Sequence, residues 1–195
     1  MFEVLHVLRL KGVVPVDALA ELTGLTVDAA RSTIERLAGD GLAKLRETPR
    51  VSGWTLTELG HERHRAELDG HRSAELVEAL TPVYERFLGL NGRVKQLASE
   101  WQGLATEDTA GRWDAIERLR ELHAAAAPIL DDAAGIASRL APYARRLASA
   151  IERLEGGDER FFTGVTVDSF HTVWFECHED LIQTLGRERV AEGSF

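Results

Sequence analysis

The sequence predicts a mainly α-helical fold in which one short β-hairpin interrupts an otherwise helical chain. Apolar residues recur every three or four positions along most of the 195 residues, as one buried face of a helix requires. The stretch after Asp40-Gly41 loses this spacing, and apolar and polar residues alternate imperfectly there. From Gly70 onward no strand signal recurs. The chain is therefore divided into a part with helices and a hairpin, and an all-helical part.

Three short helices are predicted before the hairpin. The first ends at Gly12, and its apolar residues share one face: Met1, Val4, Leu5 and Leu8. The second covers residues 17–23, and Gly24 suits the left-handed position that closes a helix. Thr26 is placed to cap the third helix, residues 27–38. That helix has three residues spaced for burial: Ala30, Ile34 and Leu37.

The hairpin and a fourth helix complete the N-terminal part. Residues 42–47 are predicted as an edge strand, residues 49–53 as a turn and residues 54–56 as the returning strand. Thr57 then caps a helix that runs to about Asp69. Two helices joined by a tight glycine-containing turn form a helix-turn-helix. With the hairpin as a wing, residues 1–69 are predicted to be a winged helix-turn-helix domain.

Residues 70–195 are predicted to form an all-helical dimerisation or effector domain. We expect helices over residues 71–88, 90–101, 113–130 and 136–154, and a last helix that ends at Gly186. A loop is expected at 102–111, a break at 156–158 and a turn at 161–164. Pro82 should kink the first of these helices or start a new segment, and Asn91-Gly92 should precede or interrupt the second. Pro128 should bend the third, and either Asp168 or Ser169 should cap the last.

Composition and charge limit the possible location and binding partners of the protein. No stretch approaches the roughly 20 apolar residues that span a bilayer, and no signal peptide is recognisable, so we expect a cytoplasmic protein. The lone Cys177 lies in an apolar helical pattern, which favours a small buried hydrophobe. The net charge is −9, and residues 1–70 carry nine Arg and Lys against eleven Asp and Glu. This acidity counts against nucleic-acid binding, although local basic clusters can still bind phosphate.

The third helix is the first candidate surface for DNA contact. Burial of its apolar face turns Arg31, Ser32 and Arg36 outward, and Thr26 lies at its start. Arginine can bind guanine and serine can contact a base or a phosphate. Two acids on the same side, Asp28 and Glu35, repel phosphate. The alternative is a solvated polar face on a module that contacts protein.

The hairpin is the second candidate surface. Lys44, Arg46 and Arg50 lie within seven positions near the predicted wing tip, and Glu47 is the nearby acid. Arginine suits the negative potential of a narrow minor groove, which wings commonly reach. The alternative is an edge strand that charge protects from pairing with other chains.

Five residues of the helical domain are considered for ligand binding: Trp101, His123, His171, Trp174 and His178. The histidines lie on or beside apolar stripes, where three inward imidazoles can bind a metal or a small anion. Hydrogen-bonded core histidines are the alternative that we favour, so we expect no metal and no cofactor. Core packing is also the simpler role for three tryptophans: Trp101, Trp113 and Trp174. A cluster of three acidic side chains is expected to form a solvated face: Glu176, Glu179 and Asp180.

Two segments resemble known domains. The segment LAELTGLTVDAARSTIERLAGDGLAKLRETPRVSGWTLTELGHERH resembles the winged-helix domain of MarR-like bacterial regulators, through its GL…RSTIERLAGDGLA recognition segment, its wing and its WTLTELG motif. The pattern FLGLNGRVKQLASEWQ … GDERFFTGVTVDSFHTVWFECHEDLIQTLGRER is similar to an uncharacterised helical domain that follows winged helices in high-GC bacteria. That domain is sometimes appended to the swivelling phosphohistidine domain of phosphoenolpyruvate-utilising enzymes. It implies no established activity.

The fold, the basic surfaces and the resemblance together predict a DNA-binding transcriptional regulator. Its winged helix contacts double-stranded DNA, and its helical domain forms a homodimer, senses a small-molecule effector, or both. The alternative is a regulatory protein-interaction module that docks onto a partner enzyme, such as a phosphoenolpyruvate-utilising one, without binding DNA. No phosphate loop, nucleophile elbow or paired-cysteine zinc signature is present, so we expect neither enzymatic activity nor a membrane partner.

Overall fold

The predicted fold class is confirmed by a computed structural model that describes residues 1–49 and 52–187. The described chain is mainly helical, with a two-stranded antiparallel sheet after three N-terminal helices. It divides into two compact units, residues 1–73 together with 186–187, and Ala74–Leu185. The predicted boundary at residue 69 falls inside a helix, Glu58–His71, so the first unit extends slightly further than the sequence indicated.

The first unit begins with three helices and a hairpin, and ends with a fourth helix. In chain order the elements are α1 (Phe2–Lys11), α2 (Val16–Thr23), α3 (Val27–Gly39), β1 (Ala43–Glu47), β2 (Ser52–Leu56) and α4 (Glu58–His71). Gly24 ends α2 with a φ of 71°, in the left-handed region that its sequence position predicts. Thr26 and Thr57 cap α3 and α4, because their hydroxyl oxygens accept hydrogen bonds from amides of the first helical turn. These predictions are confirmed.

The sheet involves one more segment than the predicted hairpin. Val14, between α1 and α2, forms an antiparallel bridge with Trp54 of β2, with amide-to-carbonyl distances of 2.8 and 2.9 Å. This contact explains why residue 53, next to Trp54, is a glycine. A Cβ on Gly53 would lie 2.7 Å from the Val14 carbonyl carbon, so a larger residue would force the segments apart. A single bridge has no periodicity, and the sequence therefore did not predict it.

The core of the first unit lies between the helices and β2. Ala30, Ile34 and Leu37 are fully buried, as their spacing in α3 predicts. They pack with apolar residues from the neighbouring elements: Val4, Leu5, Leu8, Leu19, Leu42 and Leu56. Because one face of α3 is buried in this way, the opposite face must point to solvent.

The second unit contains five α-helices within the described residues. They are α5 (Ala74–Gly103), α6 (Thr109–Ile136), α7 (Pro142–Glu155), α8 (Arg160–Thr163) and α9 (Phe170–Leu185), with a 3₁₀ turn at Ser138–Leu140. Their shared core is rich in aromatic side chains: Tyr84, Phe87, Trp101, Tyr143, Phe162, Phe170 and Trp174. None of the helices in the described part of the chain is both long and apolar enough to cross a membrane.

The prediction of two separate helices over residues 71–101 was wrong. His71 ends α4, and α5 then runs without a break through both Pro82 and Asn91-Gly92. A proline inside a helix costs about 3 kcal/mol, but residues on both sides of Pro82 are buried in the core, including Leu80, Val83 and Phe87. Packing of these apolar side chains offsets the lost backbone hydrogen bond.

The connections after α6 also differ from the prediction. Residue 136 ends a helix instead of starting one, and α7 begins at Pro142, because proline fits the first turn of a helix where its missing N–H is not needed. The predicted turn at residues 161–164 is largely the short helix α8. The predicted break at residues 156–158 is confirmed, since α7 ends at Glu155.

Candidate nucleic-acid interface

The exposed face of α3 contains every predicted contact residue of this helix. Thr26, Arg31, Ser32 and Arg36 are all exposed. At about 100° per residue, Ser32 lies opposite the buried face, and the order across the exposed face is Arg31, Glu35, Asp28, Ser32 and Arg36. The two acids therefore lie between the two arginines. The helix presents cations on both flanks and a negative centre.

The wing carries two of its three predicted cations within the described residues. Lys44 and Arg46 are exposed on β1, where they lie opposite Thr55 and Gly53 of β2. Residues 44 and 46 are two positions apart on one strand, so their side chains project from the same face of the hairpin. Arg50 lies outside the described residues.

Contacts at the start of α4 connect the wing to α3. The Thr57 hydroxyl donates a hydrogen bond to the Gly41 carbonyl at 2.7 Å and accepts one from the Gly60 amide at 3.1 Å. Gly60 packs so closely that a Cβ there would lie 2.0 Å from the Leu42 carbonyl oxygen. Since Gly41 and Leu42 join α3 to β1, these contacts hold the base of the hairpin against the helices.

The basic side chains of this surface are available to a ligand. Within residues 1–49 and 52–187, no carboxylate lies at ion-pair distance from any of four exposed cations: Arg31, Arg36, Lys44 and Arg46. Many arginines of the second unit, in contrast, form ion pairs. Arg146, for example, contacts both Asp168 and Glu176. Binding of phosphate by the four cations would therefore not require an existing ion pair to break.

The predicted ligand residues of the second unit mostly contact core residues. Trp174 and His178 are buried. The Trp174 ring stacks on Phe87 with centroids 4.3 Å apart, and His178 Nε2 lies 3.2 Å from the Tyr84 hydroxyl oxygen. Trp101 stacks on Phe162 at 4.1 Å. Stacking buries the apolar ring surfaces of Trp174 and Trp101, and the Tyr84 hydroxyl is a polar partner for His178.

His123 and His171 are half-buried and lie against different neighbours. The His123 ring meets the edge of Phe170, and the His171 ring lies beside Phe175. Burial lowers the pKa of His123 and also lowers the pKa of His171, because desolvation penalises the charged imidazolium. In the described part of the chain, no group of three or more His, Cys, Asp or Glu side chains is arranged to hold a metal ion.

Two predictions about the burial of side chains in the second unit were wrong. Asp180 is 1% exposed instead of solvated, and it accepts a hydrogen bond from the Tyr143 hydroxyl at 3.1 Å. Burial, together with the charge of Asp180, raises the pKa of Tyr143 well above its usual range. Trp113, predicted as a core residue, is 54% exposed. It lines a shallow cleft with Arg112 and Glu159.

Side-chain hydrogen bonds show which of the two predicted residues, Asp168 or Ser169, caps α9. Ser169 accepts a hydrogen bond from the Thr172 amide at 3.2 Å, as a residue that caps a helix does. Asp168 instead accepts a hydrogen bond from Arg146 at 2.8 Å. The side chain of Arg146 also reaches Glu176, so one guanidinium connects the start of α9 with its second turn.

One buried pair of residues, His6 and His64, was not predicted from the sequence. Each is 3% exposed, and the two rings are hydrogen-bonded across α1 and α4. The available signal was weak: His64 is four residues from both Gly60 and Leu68, which are buried on the same face of α4. Only the packing of the two helices places the histidines together.

The fold and this surface define a mainly helical protein with a winged helix-turn-helix unit and a separate helical unit. Comparison of the chain with known protein families, with curated proteins and with solved structures finds no match.

Proposed function

We propose that the protein is a DNA-binding transcriptional regulator of the MarR-like kind. The observation that carries this proposal is a set of four exposed cations on α3 and the wing, none of which has a carboxylate at ion-pair distance among the described residues: Arg31, Arg36, Lys44 and Arg46. Phosphate binding by such cations releases counterions and supplies most of the affinity for DNA.

The elements and residue types of the two surfaces suit the two grooves of DNA. The major groove is wide enough for an α-helix, and its base edges are read by arginine and serine. In the proposed complex α3 enters that groove, where Arg31 or Arg36 contacts guanine and Ser32 contacts a base or a phosphate. Lys44 and Arg46 then contact flanking phosphates or the minor groove, where the negative potential favours arginine.

The helical unit is proposed to form a homodimer, to bind a small-molecule effector, or both. A two-fold arrangement of winged helices places two recognition helices about one turn of DNA apart, roughly 34 Å. Two half-sites also double the number of phosphate contacts, which compensates for the small number of exposed cations on each winged helix.

The test is a binding titration of the full chain with a fluorescently labelled pool of random-sequence DNA duplexes. We expect the anisotropy to rise at about micromolar protein in low salt, and the logarithm of the affinity to fall linearly with the logarithm of salt concentration. Selection from the same pool should then enrich a motif with two half-sites. Absence of binding in low salt would exclude this function.

A second function is favoured by apolar side chains on the first unit. Leu25, Val27, Leu45 and Leu59 are between 39% and 52% exposed, and exposed apolar side chains can mark a protein-binding surface. In this alternative the winged helix docks onto a partner enzyme. Calorimetry with a purified phosphoenolpyruvate-utilising enzyme would then detect binding that Leu45→Asp abolishes and that Lys44→Glu leaves unchanged.

A further inference from the structure

A shallow cleft in the helical unit is bordered by an exposed tryptophan. Trp113 on α6 is 54% exposed, and among residues 1–49 and 52–187 it is the only exposed Trp, Tyr or Phe. A single exposed apolar side chain is ordinary on a protein surface. This ring differs because it lines a cleft of about 120 Å³, and a cleft with an apolar lining and a few polar groups is the usual form of a small-molecule site.

The helical spacing of α6 places the tryptophan beside an apolar floor. Thr109, Trp113 and Ile116 are separated by four and then three residues, so they follow one face of the helix. Ile116 and Leu154 of α7 also line the cleft, and both are buried. A flat ring that enters the cleft can therefore contact the Trp113 ring and the apolar floor together.

The polar side of the cleft is a fixed ion pair. Nε and Nη2 of Arg112 donate hydrogen bonds to the two carboxylate oxygens of Glu159, at 2.8 and 2.5 Å. The guanidinium carbon lies 4.1 Å from the centre of the Trp101 ring, which stacks on Phe162. Two parallel hydrogen bonds and a stacked face hold the guanidinium in one orientation. The hydrogen bonds from Arg112 also lower the pKa of Glu159, so the carboxylate stays ionised at neutral pH.

Two threonine hydroxyls add hydrogen-bonding groups to the cleft. Thr106, in the turn between α5 and α6, and Thr109, in the first turn of α6, are exposed and line it. The Thr109 hydroxyl has only a long hydrogen bond, 3.5 Å, to the Glu107 carbonyl. A hydroxyl can both donate and accept a hydrogen bond, so either threonine can bind the polar edge of a ligand.

We propose that this cleft binds a small uncharged planar ring with a hydrogen-bonding edge. The ring stacks on Trp113, and its polar edge contacts the threonine hydroxyls. A charged ligand would lose hydration without gaining a free counter-charge, because Arg112 and Glu159 already neutralise each other. The volume suits one ring, since a cavity of about 150 Å³ holds benzene.

This assignment rests on the proposed role of the helical unit in binding a small-molecule effector, and it specifies the chemical class of that effector. All of the residues that line the cleft belong to the helical unit. Binding to the cleft can therefore be measured without DNA, and it does not depend on whether the winged-helix unit binds DNA.

The test is a titration of the nitrogen-15-labelled full chain with benzamide, an uncharged planar ring with an amide edge, followed by NMR. The indole N–H signal of Trp113, assigned with Trp113→Phe, should shift more than those of the other tryptophans. We expect a dissociation constant of about 1 mM, as is usual for a ligand of one ring. Three analogues each change one property: benzoate is an anion, benzamidine is a cation and cyclohexanecarboxamide is not planar. Each should bind roughly fivefold more weakly or worse, because it lacks either a counter-charge or the stacking face.

Two variants test the roles of the ring and of the ion pair. Trp113→Ala should keep the fold, since the side chain is exposed, and should weaken benzamide binding by about tenfold or more. Leu59→Ala, at a position of the first unit that is 52% exposed, is the matched control and should bind benzamide like the wild type. Glu159→Gln leaves the Arg112 charge without a carboxylate, so it should bind benzoate more tightly than benzamide.

Several results would overturn the site. They are the absence of a Trp113 shift at about 20 mM benzamide, equal affinity of the wild type for benzamide and cyclohexanecarboxamide, and unchanged benzamide binding by Trp113→Ala. A preference of Glu159→Gln for benzamide equal to that of the wild type would contradict the role of the ion pair. A Trp113 signal that depends on protein concentration alone would show that the ring contacts a second copy of the chain instead. The comparison of the four ligands on the wild type holds even if a variant does not fold.

The DNA titration of the full chain separates this proposal from the function of the winged helix. Intact DNA binding without a Trp113 shift would contradict the cleft alone. A benzamide shift in a chain that does not bind DNA would support the cleft and would exclude only the DNA-binding function.

Discussion

Trp174 of α9 donates its indole N–H to the amide oxygen of Asn91 of α5, across 3.0 Å in the core of the second unit. Both residues are buried. Asn91-Gly92 is a dipeptide typical of turns, yet here it lies inside the 30-residue helix α5. The hydrogen bond stabilises this arrangement, because a buried asparagine side chain needs a partner and the tryptophan provides one.

We predict that Asn91→Ala lowers the free energy of unfolding by about 1–3 kcal/mol, because the Trp174 N–H is left buried without an acceptor. Urea denaturation followed by far-ultraviolet circular dichroism measures this change. Gln96→Ala removes an exposed amide from the same helix and should have little effect. Equal stability of Asn91→Ala and wild type would mean that the Trp174–Asn91 bond makes no net contribution.

A structural role for His178 predicts a loss of stability without any added ligand. His178→Ala removes the contact with the Tyr84 hydroxyl and leaves a cavity beside Phe87, at a cost of about 2–4 kcal/mol. His123→Ala, at a half-buried position, should cost less. Thermal melting with and without zinc checks the metal alternative. Zinc stabilisation of the wild type that disappears in His123→Ala and His171→Ala would contradict the structural role.

Charge reversal on the wing should weaken DNA binding without changing the fold. Lys44→Glu with Arg46→Glu alters two exposed side chains, so the circular dichroism spectrum and the melting temperature should stay close to those of the wild type. The salt slope of DNA binding should fall by about 0.9 for each lost phosphate contact. Arg93→Glu, exposed on α5, is the matched control. Unchanged affinity and slope in the double variant would exclude the wing from DNA binding.

Neutralising the acids of α3 should have the opposite effect. Asp28→Asn with Glu35→Gln removes two negative charges that lie between Arg31 and Arg36, so affinity for random-sequence DNA should rise severalfold at low salt. Glu62→Gln, exposed on α4, removes a charge outside this face and serves as the control. An affinity gain of the same size in both proteins would show only a general effect of net charge, and no gain would argue against α3 contacting DNA.

Local features of the sequence predicted the helices and the hairpin of the first unit. The spacing of Ala30, Ile34 and Leu37 predicted the buried face of α3, and the glycine and threonine positions predicted where helices end and begin. These signals are local because a cap or a left-handed glycine depends on residues within one helical turn. The exposed positions of Arg31, Ser32, Arg36, Lys44 and Arg46 followed from the same patterns.

Packing between residues that are distant in sequence determined the structural features that the local patterns did not predict. The sequence alone determined a mainly helical chain, its hairpin and the basic residues of the candidate interface. Only the tertiary structure decided that α5 continues through Pro82 and Asn91, that Asp180 is buried beside Tyr143, and that His6 meets His64. Each of these outcomes depends on a partner that is distant in sequence. The stability of a buried polar group is set by whether such a partner is present, and local periodicity carries no information about it.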